Sequence, residues 1–312
     1  MPAGRQYTPS APQANRAVRA RPPGAHGGMG SKLRYSAIAA AYQAIRAESF
    51  MIKVEHLSRS FGDFKAVDDI SFEVAAGEIF AFLGPNGAGK TTTIRMLTTL
   101  LSPTSGSIQM DGMDPARHQN EVRRRFGIVF QDPSLDQDLT AAENMDLHGV
   151  LYHVPRRIRR ERTEALLRAF ELWERRASAV KTFSGGMRRR LEIARGLLHT
   201  PRILFLDEPT LGLDPQSRNQ LWSHVQHLNK TEGVTVFLTT HYMDEADRVA
   251  TRIAVIDHGK IVAIGSSAEL KARTETDSLE AAFLKLTGTA IRDETVGAAD
   301  RMRQAAAMWR RR

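Results

Sequence analysis

Cysteine is absent from the 312 residues, which excludes disulfides and thiolate metal sites and fits a reducing compartment such as the cytosol. No run of 18 or more apolar residues is free of charge, so the chain does not span a membrane by itself. No long internal repeat is visible, so its main motifs occur once. The body also lacks an excess of one charge. The net charge of +9 sits at the two ends: residues 1–50 hold seven Lys/Arg against Glu48 alone, and residues 301–312 hold five Arg and no acid. Between 51 and 300 there remain 32 basic and 34 acidic residues. A near-neutral body gives little reason to expect a nucleic-acid groove.

With 42% apolar residues, the chain can bury one large core or two small ones. Residues 1–30 are rich in Pro, Ala, Gly and Arg without an apolar period, and are expected to be disordered. Residues 32–50 allow a short basic helix with Ile38, Tyr42 and Ile45 on one face; a loosely ordered extension is preferred to a membrane-surface helix. Arg-rich, acid-poor N-termini also resemble transit peptides. The simpler expectation is that the native chain starts at Met51, because MIKVEHLSRSFG opens directly into a strand pattern. Residues 289–312 are expected to be a basic tail.

From Met51 the pattern is α/β. Ile79–Leu83, Ile128–Phe130, Ile203–Leu206 and Val234–Leu238 are short apolar runs that read as buried strands, separated by helical stretches that favour a parallel sheet. Ile253–Ile256 and Ile261–Ile264 flank Asp257-His258-Gly259-Lys260 and read as a hairpin. Between about 132 and 182 the strand signal stops. Thr140-x-x-Glu143 is a capping box, and Leu166, Leu167, Phe170, Leu172 and Trp173 give the charged stretch Arg156–Arg176 an apolar face. This predicts a helical insertion, about 132–196, in an α/β body.

Gly84-Pro85-Asn86-Gly87-Ala88-Gly89-Lys90-Thr91 follows the strand Ile79–Leu83 and matches the phosphate-binding loop pattern. Its glycines let backbone N–H groups face a β-phosphate, and a helix starting near Lys90 adds its positive end. Lys90 suits the β/γ-phosphates and the Thr91 hydroxyl suits Mg²⁺. The strand Ile203–Leu206 ends in Asp207, suited to a water-mediated Mg²⁺ contact, and Glu208, suited to polarising an attacking water. Ser184-Gly185-Gly186 opens a helical pattern and permits two readings. One is an ordinary helix capped by Ser184; the other is a γ-phosphate site made by hydroxyl, glycine N–H groups and helix dipole.

Over about residues 51–288 these motifs, in this order, resemble the ATPase subunit of ATP-binding cassette (ABC) transporters. The resemblance implies a P-loop NTPase cassette: a parallel sheet core, a small antiparallel β part and a helical subdomain. It makes Ser184-Gly185-Gly186 part of the family signature, with Phe183 and Met187 where Leu and Gln are commonest. It makes Phe61 the aromatic that stacks on adenine, although a core strand residue is the plainer reading of Phe61 alone. Gln131 becomes the glutamine that reaches Mg²⁺ and water and senses the membrane partner. Leu211-Gly212-Leu213-Asp214 becomes the loop by which two cassettes touch, and His241, after Val236–Thr240, the histidine on the γ-phosphate. His224 and His227 lack further ligands and are read as a solvated helix face. LTTHYMDEADR, IDHGKIVAIGS and SLEAAFLKLTG are similar to daunorubicin- and multidrug-type exporter ATPases; Leu279, Phe283 and Leu286 in the last also suit a docking helix.

The implied unit is a pair of cassettes, a homodimer by expectation, with two ATP and Mg²⁺ held between Gly84–Thr92 of one copy and Ser184–Gly186 of the other. It would sit peripherally on the cytoplasmic membrane face beside a separate permease contacting Gln131–Leu139 and the nearby helices, with no nucleic acid. The cargo would be a drug, lipid or polysaccharide-like molecule. The rival class is a soluble ABC ATPase acting on ribosomes or DNA, whose usual tandem cassette or long coiled coil is missing here. A P-loop kinase is disfavoured by Ser184–Gly186 and His241, and an importer by the short tail.

Overall fold

The computed structural model describes residues 50–288. The expected extension up to residue 49, with its basic helix, and the tail 289–312 lie outside the described residues. Nine strands and nine α-helices are found among the described residues, in two sheets.

The smaller sheet is antiparallel, in the order β2 (Phe64–Ala75), β1 (Phe50–Phe61), β4 (Ser105–Met110). β1 and β2 form a hairpin across Gly62-Asp63, with Phe61 opposite Phe64. Register shifts occur near His56 and Asp69, whose φ angles are 50° and 55°. Such bulges break the period of two, so only the opening of β1 stands out in the sequence.

The larger sheet has the order β5-β6-β7-β3-β8-β9. It comprises β3 (Ile79–Leu83), β5 (Phe126–Val129), β6 (Ile203–Asp207), β7 (Thr235–Thr240), β8 (Arg252–Asp257) and β9 (Lys260–Gly265). All neighbours are parallel except β8 and β9, which form the expected hairpin. Every residue of β3, β6 and β7 is buried, the state of strands covered on both faces. Phe72 of β2 packs on Phe80, Phe82 and Phe237 of the parallel sheet, with ring centroids 5.2–6.0 Å apart. Aromatic contacts of this kind contribute about 0.5–1.5 kcal/mol each beyond buried area, and here they join the two sheets.

The opposite face of the parallel sheet carries the helical insertion. α3 (Ala141–Leu151) starts at Thr140, whose hydroxyl accepts from the Glu143 amide at 3.2 Å while Glu143 accepts from the Thr140 amide at 2.7 Å. α4 (Arg156–Ala169) and the turn after it bury Leu166, Leu167, Phe170 and Leu172, with Trp173 half-buried against them. α5 (Gly185–Leu197) follows and packs on β5. Phe183 is buried in this core, so its bulk there serves packing.

α1 (Lys90–Leu97) and α2 (Gln119–Arg125) lie earlier in the chain. α6 (Pro215–Glu232) follows β6, α7 (Met243–Val249) follows β7, and α8 (Ser267–Thr274) and α9 (Leu279–Thr287) close the described chain. Leu279 and Phe283 are buried and Leu286 packs beside them, so α9 docks on the body. The reading of His224 as solvated needs correction. Its ring is half-buried and lies 5.0 Å from Phe170, and burial lowers its pKa; His227 is exposed. A lone helical period does not show that the turn after α4 would bring Phe170 against that face of α6.

Candidate nucleotide and catalytic site

The strand order brings motifs far apart in sequence to one sheet edge. β3 runs into the loop 84–89, its neighbour β7 stops one residue before His241, the next strand β6 ends at Asp207 with Glu208 directly after it, and β5 leads into Gln131. Crevices outside the carboxyl ends of parallel strands are where α/β sheets bind ligands.

The loop is held open by its backbone. Gly89 has φ 105°, and a Cβ there would stand 2.6 Å from the Ala66 carbonyl oxygen, so only glycine is accommodated. No side chain caps α1 at Gly89, which leaves first-turn N–H groups for an anion. Lys90 is 4% exposed. Its Nζ donates to the carbonyls of Gly84 at 2.7 Å and Pro85 at 3.1 Å and pairs with Glu208 Oε1 at 3.1 Å. Burial lowers the Lys90 pKa and Glu208 opposes that shift. A buried cation at the start of a helix whose first-turn N–H groups have no side-chain cap suits a polyphosphate.

Asp207 Oδ1 accepts from the hydroxyls of Thr239 at 2.6 Å and Thr91 at 3.3 Å. Burial raises its pKa, the two hydroxyls opposing. An adjoining hydroxyl and a carboxylate deprived of water are hard oxygen donors that suit Mg²⁺, and a cation there favours the ionised form. Glu208, at φ 45°, has its amide fixed by Thr239 Oγ1 at 3.0 Å, while Oε2 meets His241 Nδ1 at 3.3 Å. Positive φ at a non-glycine is a strained conformation, and Thr239 is one support that holds it. The sequence reading missed Thr239; the paired hydroxyls Thr239-Thr240 at the carboxyl end of β7, directly before His241, are the signal that could have found it.

The remaining candidates are placed differently. Gln131 is exposed in the loop two residues past β5, not at a strand end. Phe61 closes β1 under the Arg59 guanidinium, 4.7 Å from its ring centroid. Ser184 and Gly185 are exposed, and the Ser184 hydroxyl accepts from the Met187 amide at 3.2 Å. Gly186 is buried, and a Cβ on it would lie 2.5 Å from Ser217 Oγ at the start of α6. Asp214 caps α6, accepting from Ser217 N at 2.9 Å and Ser217 Oγ at 2.7 Å. Ser184 therefore caps its own helix, and that helix end faces solvent.

The ABC transporter family model matches residues 67–211. The chain is 42% identical over 252 residues to the daunorubicin resistance ATP-binding protein DrrA3 of Streptomyces coeruleorubidus, covering 77% of this chain and 79% of the relative. The chain belongs to the ABC transporter ATP-binding family. This cassette is also 42% identical over 220 residues to the Nod factor export ATP-binding protein I of Ralstonia nicotianae, covering 70% and 68% of the two chains. A solved ATP-binding subunit of an ABC transporter superposes with TM-score 0.70 at 30% identity, over 76% of this chain and all of that one. A dimeric cassette in a post-hydrolysis state with ADP and Pi superposes with TM-score 0.62 at 29% identity, over 69% and 98%.

Proposed function

We propose that the cassette hydrolyses ATP as half of a two-cassette unit and powers export through a separate membrane permease. The observation that carries this is the convergence of Lys90, Thr91, Asp207, Glu208 and His241 at one sheet edge, while Ser184 and Gly185 open to solvent on another helix. In this reading Gly84–Thr92 binds the triphosphate of ATP and Phe61 stacks on its base. Ser184–Gly186 and Asp214 of a second copy complete the site. Thr91, Asp207 and Gln131 would hold Mg²⁺, which when bound supplies charge neutralisation at the β- and γ-oxygens. Glu208 takes the proton of the attacking water, and His241 holds the γ-phosphate end. Lys90 exchanges Glu208 for phosphate, which frees the carboxylate for that step.

The permease contact is assigned to Gln131–Leu139 and the α3–α4 corner, where Leu147, Val150, Leu151 and Ile158 expose apolar side chains. Patches of this kind mark interaction sites more often than chance. No helix among the described residues is long and apolar enough to cross a membrane. In this reading the cassette sits peripherally on the cytoplasmic membrane face beside the permease. The daunorubicin resistance named for one relative favours a drug-like cargo among the drug-, lipid- and polysaccharide-like classes expected, and the near-neutral body gives no reason for a nucleic-acid partner.

The test is complementation. Lys90→Ala and Ser184→Arg protomers should each be inactive alone, because both sites of each homodimer carry a lesion. Their mixture creates heterodimers with one intact site, and hydrolysis should return. No return of activity, with both variants folded and mixed dimers formed, overturns the shared site.

A further inference from the structure

Arg189, in the second turn of α5, is 6% exposed and reaches out of its own helix. Its Nε donates to the Pro209 carbonyl at 2.8 Å, and Nη1 donates to the Phe130 carbonyl at 2.5 Å. Nη2 donates to the carbonyls of Gln131 at 3.3 Å and Glu208 at 3.5 Å. These four acceptors lie where β5 and β6 part company: their register runs from Phe126/Ile203 to Val129/Leu206 and stops. Beyond that pair the guanidinium replaces the missing sheet contacts, one planar fork joining two diverging backbones.

Glu192, one turn along α5 and 2% exposed, neutralises the buried cation at 2.9 Å. Its other oxygen accepts from the Ser134 amide at 2.7 Å. Arg195, a further turn on, donates to the Ser134 carbonyl at 2.7 Å. One face of α5 thus grips the loop from Phe130 to Ser134 and the Glu208-Pro209 peptide together. The N-terminus of that helix is Ser184-Gly185-Gly186.

We propose that Arg189, charge-balanced by Glu192, is a positioning residue that couples the Ser184–Gly186 helix to the backbones carrying Gln131 and Glu208. The inference rests on the catalytic reading of those two residues. A displacement of α5 when a second copy engages its N-terminus is passed by four hydrogen bonds to the glutamine loop and to the glutamate at once. Arg189 touches neither the phosphate loop nor the reacting atoms, so its loss lowers turnover and leaves ATP binding to a single copy unchanged.

Two variants of the full chain test this. Arg189→Lys keeps a cation for Glu192 but has no planar fork for four carbonyls. Arg189→Met with Glu192→Met removes both charges, a replacement that buried ion pairs often tolerate without loss of stability. In both, kcat should fall about 10- to 100-fold, the scale expected for misplacing a catalytic group, with KM for ATP and melting temperature near those of the parent. Amide exchange should rise in 130–134 and 208–210 together. A kcat within threefold of the parent in both variants overturns the proposal. Full rescue by Lys also overturns it, showing that charge balance alone matters. A parallel fall of kcat, ATP affinity and melting temperature in both variants assigns Arg189 to stability only, against the proposal. Complementation between Lys90→Ala and Ser184→Arg, run on the parent residue at 189, reports separately on the shared site.

Discussion

Replacing Glu208 by Gln takes one charge from the centre of the site and preserves its shape. Glu208 is 7% exposed, with Lys90 Nζ at 3.1 Å on one carboxylate oxygen and His241 Nδ1 at 3.3 Å on the other. Breaking a buried ion pair outright costs about 3–5 kcal/mol. Gln retains an acceptor for Lys90, so the expected loss is nearer the worth of a charged hydrogen bond, about 2 kcal/mol. For a domain of this size that corresponds to a melting temperature lower by about 4–8 °C. ATP should close the gap, because its phosphates would give Lys90 the anion that the substitution removed. Turnover should fall by about 10²–10⁴, a barrier increase of about 2.7–5.5 kcal/mol, while ATP-bound dimers accumulate. Phosphate release, melting with and without ATP, and light scattering read the three effects. Hydrolysis within tenfold of the parent would refute Glu208 as the base. A melting gap that ATP leaves untouched would refute the exchange of Glu208 for phosphate at Lys90.

Lys90→Ala should weaken ATP binding by calorimetry at least tenfold, since a charged hydrogen bond of about 1.5–3 kcal/mol is lost; unchanged affinity contradicts the loop's role. Ser184→Arg should leave the ATP affinity of a single copy intact and abolish ATP-driven dimers, so normal dimers by light scattering would sink the shared site. Glu232, 4% exposed near the end of α6, has its pKa raised by burial from 4.5 to about 7, with Thr231 opposing. The folded chain then holds a proton that the unfolded chain has released, so its contribution is fully present below 4.5 and lost as pH rises to about 7. Glu232→Gln should therefore gain stability over the parent across that window, by up to about 3 kcal/mol. Denaturant midpoints that differ by the same amount at pH 4.5 and pH 8 would contradict this assignment.

What was legible in the sequence follows from how each contact is encoded. Gly84–Thr91 and Ile203–Glu208 are contiguous segments in which strand, turn and side chains sit together, so local pattern suffices. The strand order that sets β7 between β3 and β6 is not local, and only the family resemblance placed His241 beside Glu208. Arg189 reads as one of four arginines on a helix, and nothing near it shows that its acceptors lie 19 or 20 and 58 or 59 residues away. His224 failed for the same reason: its neighbour Phe170 comes from the turn after α4. Gly186 marks the most instructive limit. A glycine after Ser184 is what an anion site requires, yet a Cβ there would also strike Ser217 at 2.5 Å. One residue meets a packing demand from α6 and presents a backbone N–H at a helix start, so its presence alone cannot separate the two roles. Gly185 is exposed, and a Cβ on it would meet only Leu213 Cδ2, at an ordinary 3.6 Å, so Gly185→Ala is a cleaner probe of the anion site than any change at Gly186.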